Sequence, residues 1–302
     1  MFINHNQMAS NVANTLTSHY GNLQTSTQRL SSGLRVNSAA DDAAGLAIRE
    51  LMRSDIAALN QGVRNANDAI SLLQTADGAL GVIDEKLVRM KELAEQAATG
   101  TYDSTQRLMI ESEYQAMASE ITRIANSTDF NNIKLLDGNL SSDTHVGKGG
   151  GESGLASQGK LKVHFGSAND SAEDYYYIQI GTSTASALGV GNQATAFDEK
   201  SDARTVSTQE AAQKALVGIN NAIVSKDKIR AHLGALQNRL ENTITNLTTQ
   251  AENLQAAESR ISDVDVATEM TQFVRNQILT QSAVAMLSQA NSMPQMAMQL
   301  IG

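Results

Sequence analysis

The chain reads as mainly α: a long α-helical coiled-coil bundle made by pairing its N- and C-terminal segments, with a small β-containing central insert. Three observations predict this. Apolar residues recur at alternating steps of three and four over stretches much longer than an ordinary globular helix. Aromatics are 4% of the 302 residues, with one Pro and no Trp, which suits helices packed through Leu, Ile, Ala and Met better than a bulky globular core. Charge also stops abruptly at both ends. All 55 charged residues lie between Arg29 and Arg275, although the 55 residues outside those limits would hold about ten at the chain average of 18%.

The two uncharged ends each carry a seam. Phe2, Ala9, Leu16, Leu23 and Leu30 recur every seven residues with Val12 on the same side, so residues 4–32 read as a helix that Ser31-Ser32-Gly33 ends. Leu279, Ala283, Met286, Ala290, Met293, Ala297 and Leu300 follow a 4-3 alternation. They are expected to form one stripe, with Gln281, Gln289, Asn291 and Gln295 around the rest of that helix. Each seam needs a partner, so the two ends are expected side by side. Excluding charge from them suits helices packed in a crowded, poorly hydrated place.

Between the ends, Ser38 and Asp41 read as a capping box opening a long helix. Its seam runs through Ile56, Leu59, Val63, Ala66, Ile70, Leu73, Ala76, Leu80, Ile83, Leu87, Met90, Ala94 and Ala97, with an extra short step at Ile70-Leu73-Ala76, and Gly100 stops it. Asp103 with Gln106 caps a shorter helix to about Ser127. Residues 129–206 change character: Leu161–Phe165 alternates as a strand does, Tyr175–Ile180 is rich in β-formers, and Gly147–Gly154 reads as a flexible turn. Ser207 with Glu210 opens a third long helix. Ile219, Leu233, Leu240, Leu247, Leu254 and Ile261 fall there at multiples of seven, joined by Leu236, Ile244 and Ala251. A link at Ser262–Asp265 leads to the final helix.

Composition excludes several kinds of chemistry. A net charge of −9 argues against nucleic acid, which needs a basic surface. Without Cys there is no disulfide or thiolate. His5, His19, His145, His164 and His232 are scattered, with no spacing that would ligate zinc, and Gly147–Gly154 lacks the pattern of a phosphate loop. Asp41-Asp42 suits a helix start better than paired acid chemistry. No nucleophile, base and orienting group can be assembled, so neither catalysis nor a cofactor is expected. No apolar run is long enough to span a membrane, and the Lys-free ends lack the basic faces of membrane-active helices. No cleavable signal peptide is expected.

Three stretches carry a specific resemblance. Gln28-Arg29-Leu30-Ser31-Ser32-Gly33-Leu34-Arg35-Val36-Asn37-Ser38-Ala39-Ala40-Asp41-Asp42-Ala43-Ala44-Gly45-Leu46-Ala47-Ile48 resembles the N-terminal signature of bacterial flagellins. Leu236-Gln237-Asn238-Arg239-Leu240-Glu241 and Glu258-Ser259-Arg260-Ile261-Ser262-Asp263-Val264-Asp265 resemble the C-terminal half. The middle is much shorter than in the large flagellins, so an outer domain is expected to be absent or reduced to a β-rich knob.

This resemblance implies a subunit that polymerises helically into the bacterial flagellar filament. Residues 1–43 and 262–302 would form the inner-tube domain (D0). Residues 44–138 and 207–261 would supply the helices of the next shell (D1), with a β-hairpin, and 139–206 its β-rich part or a vestigial outer domain. It further implies export as an unfolded chain through the type III flagellar apparatus. A chaperone on the C-terminal helix, a filament cap and hook-associated junction proteins are the implied partners. Val88–Glu95 resembles the segment by which many flagellins engage a Toll-like innate receptor. Arg89, Leu93 and Glu113 match the contacting positions, and Glu95 replaces an apolar residue. A hook–filament junction protein is the alternative, and the Asn37–Ile48 and Glu258–Asp265 stretches favour the filament.

The terminal helices are also expected to be disordered in a lone subunit. Ordering a residue costs roughly 1–2 kcal/mol of backbone entropy. A narrow stripe rich in Ala and Met, at about 25 cal/mol per Å² of buried apolar area, cannot recover that without neighbouring copies.

Overall fold

The computed structural model describes residues 6–141, 160–166, 170, 174–192 and 202–301, with backbone only at 295 and 297–301. In chain order the elements are α1 (Gln7–Ser32), α2 (Ala43–Ala98), α3 (Ser104–Ser127), β1 (Asp129–Phe130), β2 (Ile133–Lys134), β3 (Leu161–His164), β4 (Tyr175–Ile178), α4 (Ala185–Leu188), α5 (Gln209–Ser262) and α6 (Val266–Ile301). They form two compact units, one of Met1–Ala57 with Ala251–Gly302 and one of Ala58–Gln250. Among the described residues no helix is long and apolar enough to cross a membrane. The expected turn at Gly147–Gly154 lies outside the described residues.

The Ala58–Gln250 unit holds the large core. The expected α2 seam is buried from Leu59 onward except at the half-buried Val63 and Ile70, with Leu73, Leu80, Ile83, Leu87 and Met90 at or near zero exposure. It meets Ile110, Tyr114 and Ile121 of α3 and Ile219, Leu233 and Leu240 of α5 in one cluster. At the short step Ile70-Leu73-Ala76 the buried face widens to take in Ala69 and Leu72. There α2 lines a groove with Phe130, Ile133, Leu161 and Val163 of the hairpins. The reversal into α3 is closed by Arg107, whose guanidinium donates to the carbonyls of Ala97 (3.0 Å) and Thr99 (3.1 Å). A cation there suits the negative end of the α2 dipole. Gln106 Oε1 accepts the Asp103 N–H at 3.1 Å, as its position in the sequence suggests.

Among its described residues the insert holds two antiparallel hairpins and a short helix. In β1–β2, Asp129 faces Lys134 and Phe130 faces Ile133. The turn between them is Asn131-Asn132, at φ 49° and 63°, a left-handed pair that Asn tolerates and a tight hairpin requires. In β3–β4, Leu161 faces Ile178 and His164 faces Tyr175. Gly62 lets this hairpin lie on α2, since a Cβ there would sit 2.0 Å from the Phe165 carbonyl oxygen. Asn65 Nδ2 fixes the approach by donating to the His164 carbonyl at 2.8 Å. On the other side the Arg239 guanidinium stacks 3.6 Å above the Tyr176 ring. Tyr114 donates to the Ala203 carbonyl (2.6 Å), and burial pushes its phenol well above the usual range.

Two helix starts lie beyond the expected caps, α2 well past Ser38 and α5 one residue past Ser207. Asp42 caps α2 by accepting the Gly45 N–H (2.9 Å), while Asp41 folds back onto the N–H groups of Asn37 and Ser38. Thr208, not Ser207, caps α5 by accepting the Ala211 N–H (3.2 Å). Both corrections have one cause: several adjacent residues have capping side chains, and only the backbone path decides which reaches the first turn.

Lys226 is the residue that the sevenfold series of α5 skips, between Ile219 and Leu233. It occupies that core position all the same, 1% exposed, with Nζ 2.5 Å from Asp84 of α2 and 2.8 Å from Asp227. One turn on, Arg230 Nε pairs with Asp77 at 2.7 Å. Such a pair fixes the α2–α5 register more than it adds stability. Replacing the pair whole, Lys226→Met together with Asp84→Leu, is therefore expected to be neutral or stabilising by roughly 1–4 kcal/mol, measured by urea unfolding of the full chain. A loss of several kcal/mol would contradict this.

Candidate assembly surface

Within the terminal unit α1 packs on α6. Asn6 Nδ2 donates to the Ala290 carbonyl at 2.8 Å, and Arg29 lies 3.8 Å from Glu269 at the other end, so the helices run antiparallel. Ala9, Val12, Leu16, Leu23 and Leu30 are each half-buried, on the side expected of them. Phe2 lies outside the described residues, as do the side chains of Ala297 and Leu300.

The stripe on α6 is corrected. Ala283 and Ala290 are buried and Met293 is half-buried, but Leu279 is 36% and Met286 59% exposed. The face toward α1 runs instead through Phe273, Asn276, Thr280, Ala283, Leu287, Ala290 and Pro294, also on a 4-3 alternation and turned partly around the helix. Polar residues are tolerated there because they find partners on the helix itself, as when the Thr280 hydroxyl donates to the Asn276 carbonyl at 2.8 Å. The remaining faces of α6 are not neutral amide surfaces. Val266, Met270, Val274, Ile278, Val284 and Met296 are all exposed on them. A helix apolar on every side belongs in a larger packed body than one partner helix provides.

The α1–α6 contact is thin. Ser26 is the only buried residue of α1. Among the described residues of the terminal unit, the buried apolar side chains are Val36, Ala251, Ala283 and Ala290, and none joins the large core cluster. His19 Nδ1 and Ser262 Oγ are buried without a hydrogen-bond partner, which weakens the packing further.

The two connectors are better held. Gly33 takes the left-handed conformation (φ 74°) that ends α1, and its N–H reaches the Arg29 carbonyl at 2.8 Å. Arg35 N–H donates to the Ser262 carbonyl (2.6 Å) and Val264 N–H to the Gly33 carbonyl (3.0 Å), so the connectors form a short antiparallel bridge. The Arg35 guanidinium adds a bond to the Ile261 carbonyl (2.7 Å), the buried Arg49 holds the Val36 carbonyl (2.8 Å), and Arg53 pairs with Glu258 (3.0 Å). Asp265 caps α6 by accepting the Ala267 N–H at 3.0 Å. The Ser38 N–H holds the Asp41 carboxyl below its usual range, and the Thr268 hydroxyl does the same for Asp265.

On the other unit, the three receptor-like positions do not form one exposed patch. Arg89 bridges α2 and α3 on the surface, with Nη2 2.8 Å from Glu113 and Nη1 2.9 Å from Glu92. Leu93 is 1% exposed and belongs to the core, so it is not an accessible contact. Residues 89 and 93 lie one turn apart on nearly the same side of the helix, with Arg89 at the solvent edge of the buried face and Leu93 inside it, an edge that the seam spacing alone did not delimit.

Among the described residues no cluster of His, Asp or Glu fits a metal ion. The family model for the bacterial flagellin N-terminal helical region matches residues 3–141, and that for the C-terminal helical region matches residues 216–301. The flagellin of Bacillus subtilis is 43% identical over 314 residues, covering all of both chains. The flagellar filament 33 kDa core protein of Treponema phagedenis is 41% identical over 301 residues, again covering all of both. A candidate flagellar hook-associated protein of Vibrio parahaemolyticus has a similar fold, with TM-score 0.55 at 13% identity, covering 74% of this chain and 100% of its own.

Proposed function

We infer how the chain works from one premise: it belongs to the bacterial flagellin family. It is a compact flagellin, a structural subunit that polymerises into the flagellar filament. The likeness to the hook-associated protein is one of fold alone, so nothing moves this reading toward the junction.

Residues 1–43 and 262–302 are assigned to the inner tube. Residues 44–138 and 207–261 are assigned to the surrounding helical shell, and 139–206 to its β-rich part. One observation supports this most: among its described residues the terminal unit buries almost no apolar side chain fully, yet exposes apolar residues on several faces of a helix that carries no charge beyond Arg275. Copies of the same unit are the partners that fit, because charge-free faces pack together without the cost of desolvating ions. Interfaces that do not close on themselves then build an open helical lattice. Ordering of α1 and α6 is coupled to that assembly and rises with protein concentration. Export as an extended chain through the type III flagellar apparatus, a chaperone on α6, the filament cap and the junction proteins complete the reading, with the assembled product outside the cell. Catalysis has no place in it.

Seeding the purified chain with short filament fragments and imaging it by electron microscopy tests this reading. Long, uniform tubes are expected, and amorphous aggregate or no growth would refute it. Ile278→Asp, an exposed position, is expected to change monomer stability by no more than about 0.5 kcal/mol and to stop elongation. For the Toll-like receptor, the surface pair Arg89 and Glu113 remains the proposed contact, without Leu93. Arg89→Ala is expected to lower the signal in a receptor reporter assay, and an unchanged signal would remove the proposal.

A further inference from the structure

The chain has no Cys and 11 Met, so its thioethers are its most readily oxidised side chains. Their placement is uneven. Met90 is sealed in the core at 0% exposure. Met8 of α1 and Met270, Met286 and Met296 of α6 expose between 45% and 59% of their surface, on the helices that lack a core of their own. Met109 on α3, at 69%, is comparably open but belongs to the other unit.

We propose that Met8, Met270, Met286 and Met296 form an oxidation-sensitive assembly switch: they are open to peroxide in the free subunit, and their sulfoxides block polymerisation. The proposal rests on the reading that copies of the chain cover these faces. In the chemical step the Sδ lone pair attacks one peroxide oxygen and the O–O bond breaks. An S–O bond forms, and the other oxygen leaves with both protons as water. Sulfur is oxidised by two electrons and the peroxide is reduced by two. The product replaces an apolar, flexible contact with a strong hydrogen-bond acceptor that a dry helix–helix interface leaves unpartnered. Thiol-dependent sulfoxide reductases supply the two electrons that reverse the step, so the block is reversible. Once assembled, the same sulfurs are shielded, which confines the sensitivity to subunits not yet added.

The test treats full-length monomer with hydrogen peroxide, maps the added oxygen by peptide mass, and measures the critical concentration for seeded growth. Oxidation at the four positions is expected to raise that concentration at least about tenfold, as one buried, unpartnered polar group suffices to do. Reduction of the sulfoxides is expected to restore it. The variant with Met8, Met270, Met286 and Met296 all changed to Leu keeps the apolar volume. It is expected to assemble normally and to ignore the same treatment. A second measurement does not depend on that variant assembling: the four residues are expected to oxidise more slowly in filaments than in monomers. Equal rates in both states, or oxidised monomer that grows as well as untreated monomer, would overturn the switch alone. Untreated wild type that never elongates from seeds would overturn the assembly reading and the switch with it.

Discussion

Deleting residues 276–302 is expected to leave a folded, soluble monomer that never elongates a filament. Every residue of the large core cluster lies between Ala66 and Leu240, so the Ala58–Gln250 unit loses nothing it packs against itself. What disappears is most of α6, and with it Ala283 and Ala290, two of the four buried apolar side chains among the described residues of the terminal unit. The truncated chain should retain the cooperative thermal transition of the intact unit and lose only helix signal by circular dichroism. Seeded growth should fall to zero rather than slow. Normal filaments from this truncation would show that the C-terminal helix is dispensable.

Leu80→Ala is expected to have the opposite profile. Leu80 is fully buried on α2 at the level where α2, α3 and α5 meet. Removing its branched end leaves a cavity in a close-packed region and should cost about 2–5 kcal/mol. For a unit of this size each kcal/mol lowers the melting temperature by roughly 2–4 °C, so calorimetry should show a clear drop. Below that lowered transition, seeded growth should still occur, because the exposed faces of α1 and α6 are unchanged. A melting temperature within about one degree of wild type would mean that the seam through Leu80 does not carry the core.

The difference between these two helices also explains what could be read from sequence. On α2 and α5 most large apolar residues lie on one side and, Lys226 apart, most charge on the other, so spacing alone located Leu73, Leu80, Ile83, Leu87, Leu233 and Leu240. On α6 apolar residues lie on several faces, so more than one 4-3 series fits. The series through Leu279 and Met286 uses larger side chains than the one through Asn276 and Thr280, yet the latter faces α1. Periodicity identifies a face only when the other faces are polar. The α1 seam was legible because its outer positions are Asn, Gln, Ser and Thr for the most part.

Other misses came from partners distant in sequence. Lys226 looked like an interruption of the α5 series, because Asp84 lies 142 residues away. Leu93 looked available for recognition because its burial depends on packing that no local pattern displays. The β1–β2 hairpin has strands of two residues, too short for alternation to register. The Asn131-Asn132 turn was a usable signal, since Asn favours the left-handed backbone found there. Caps at Asp42 and Thr208 fell beyond the expected Ser38 and Ser207 because nearby residues have similar capping side chains.

The central claim is that α1 and α6 gain their order from other copies of the chain. Amide hydrogen exchange, compared between dilute monomer and assembled filament, tests it most directly. The account predicts that amides of residues 7–32 and 276–301 exchange rapidly in the monomer while the α2–α3–α5 core is protected, and that both sets are protected in the filament. Equal, strong protection of the terminal helices in the isolated monomer would contradict it.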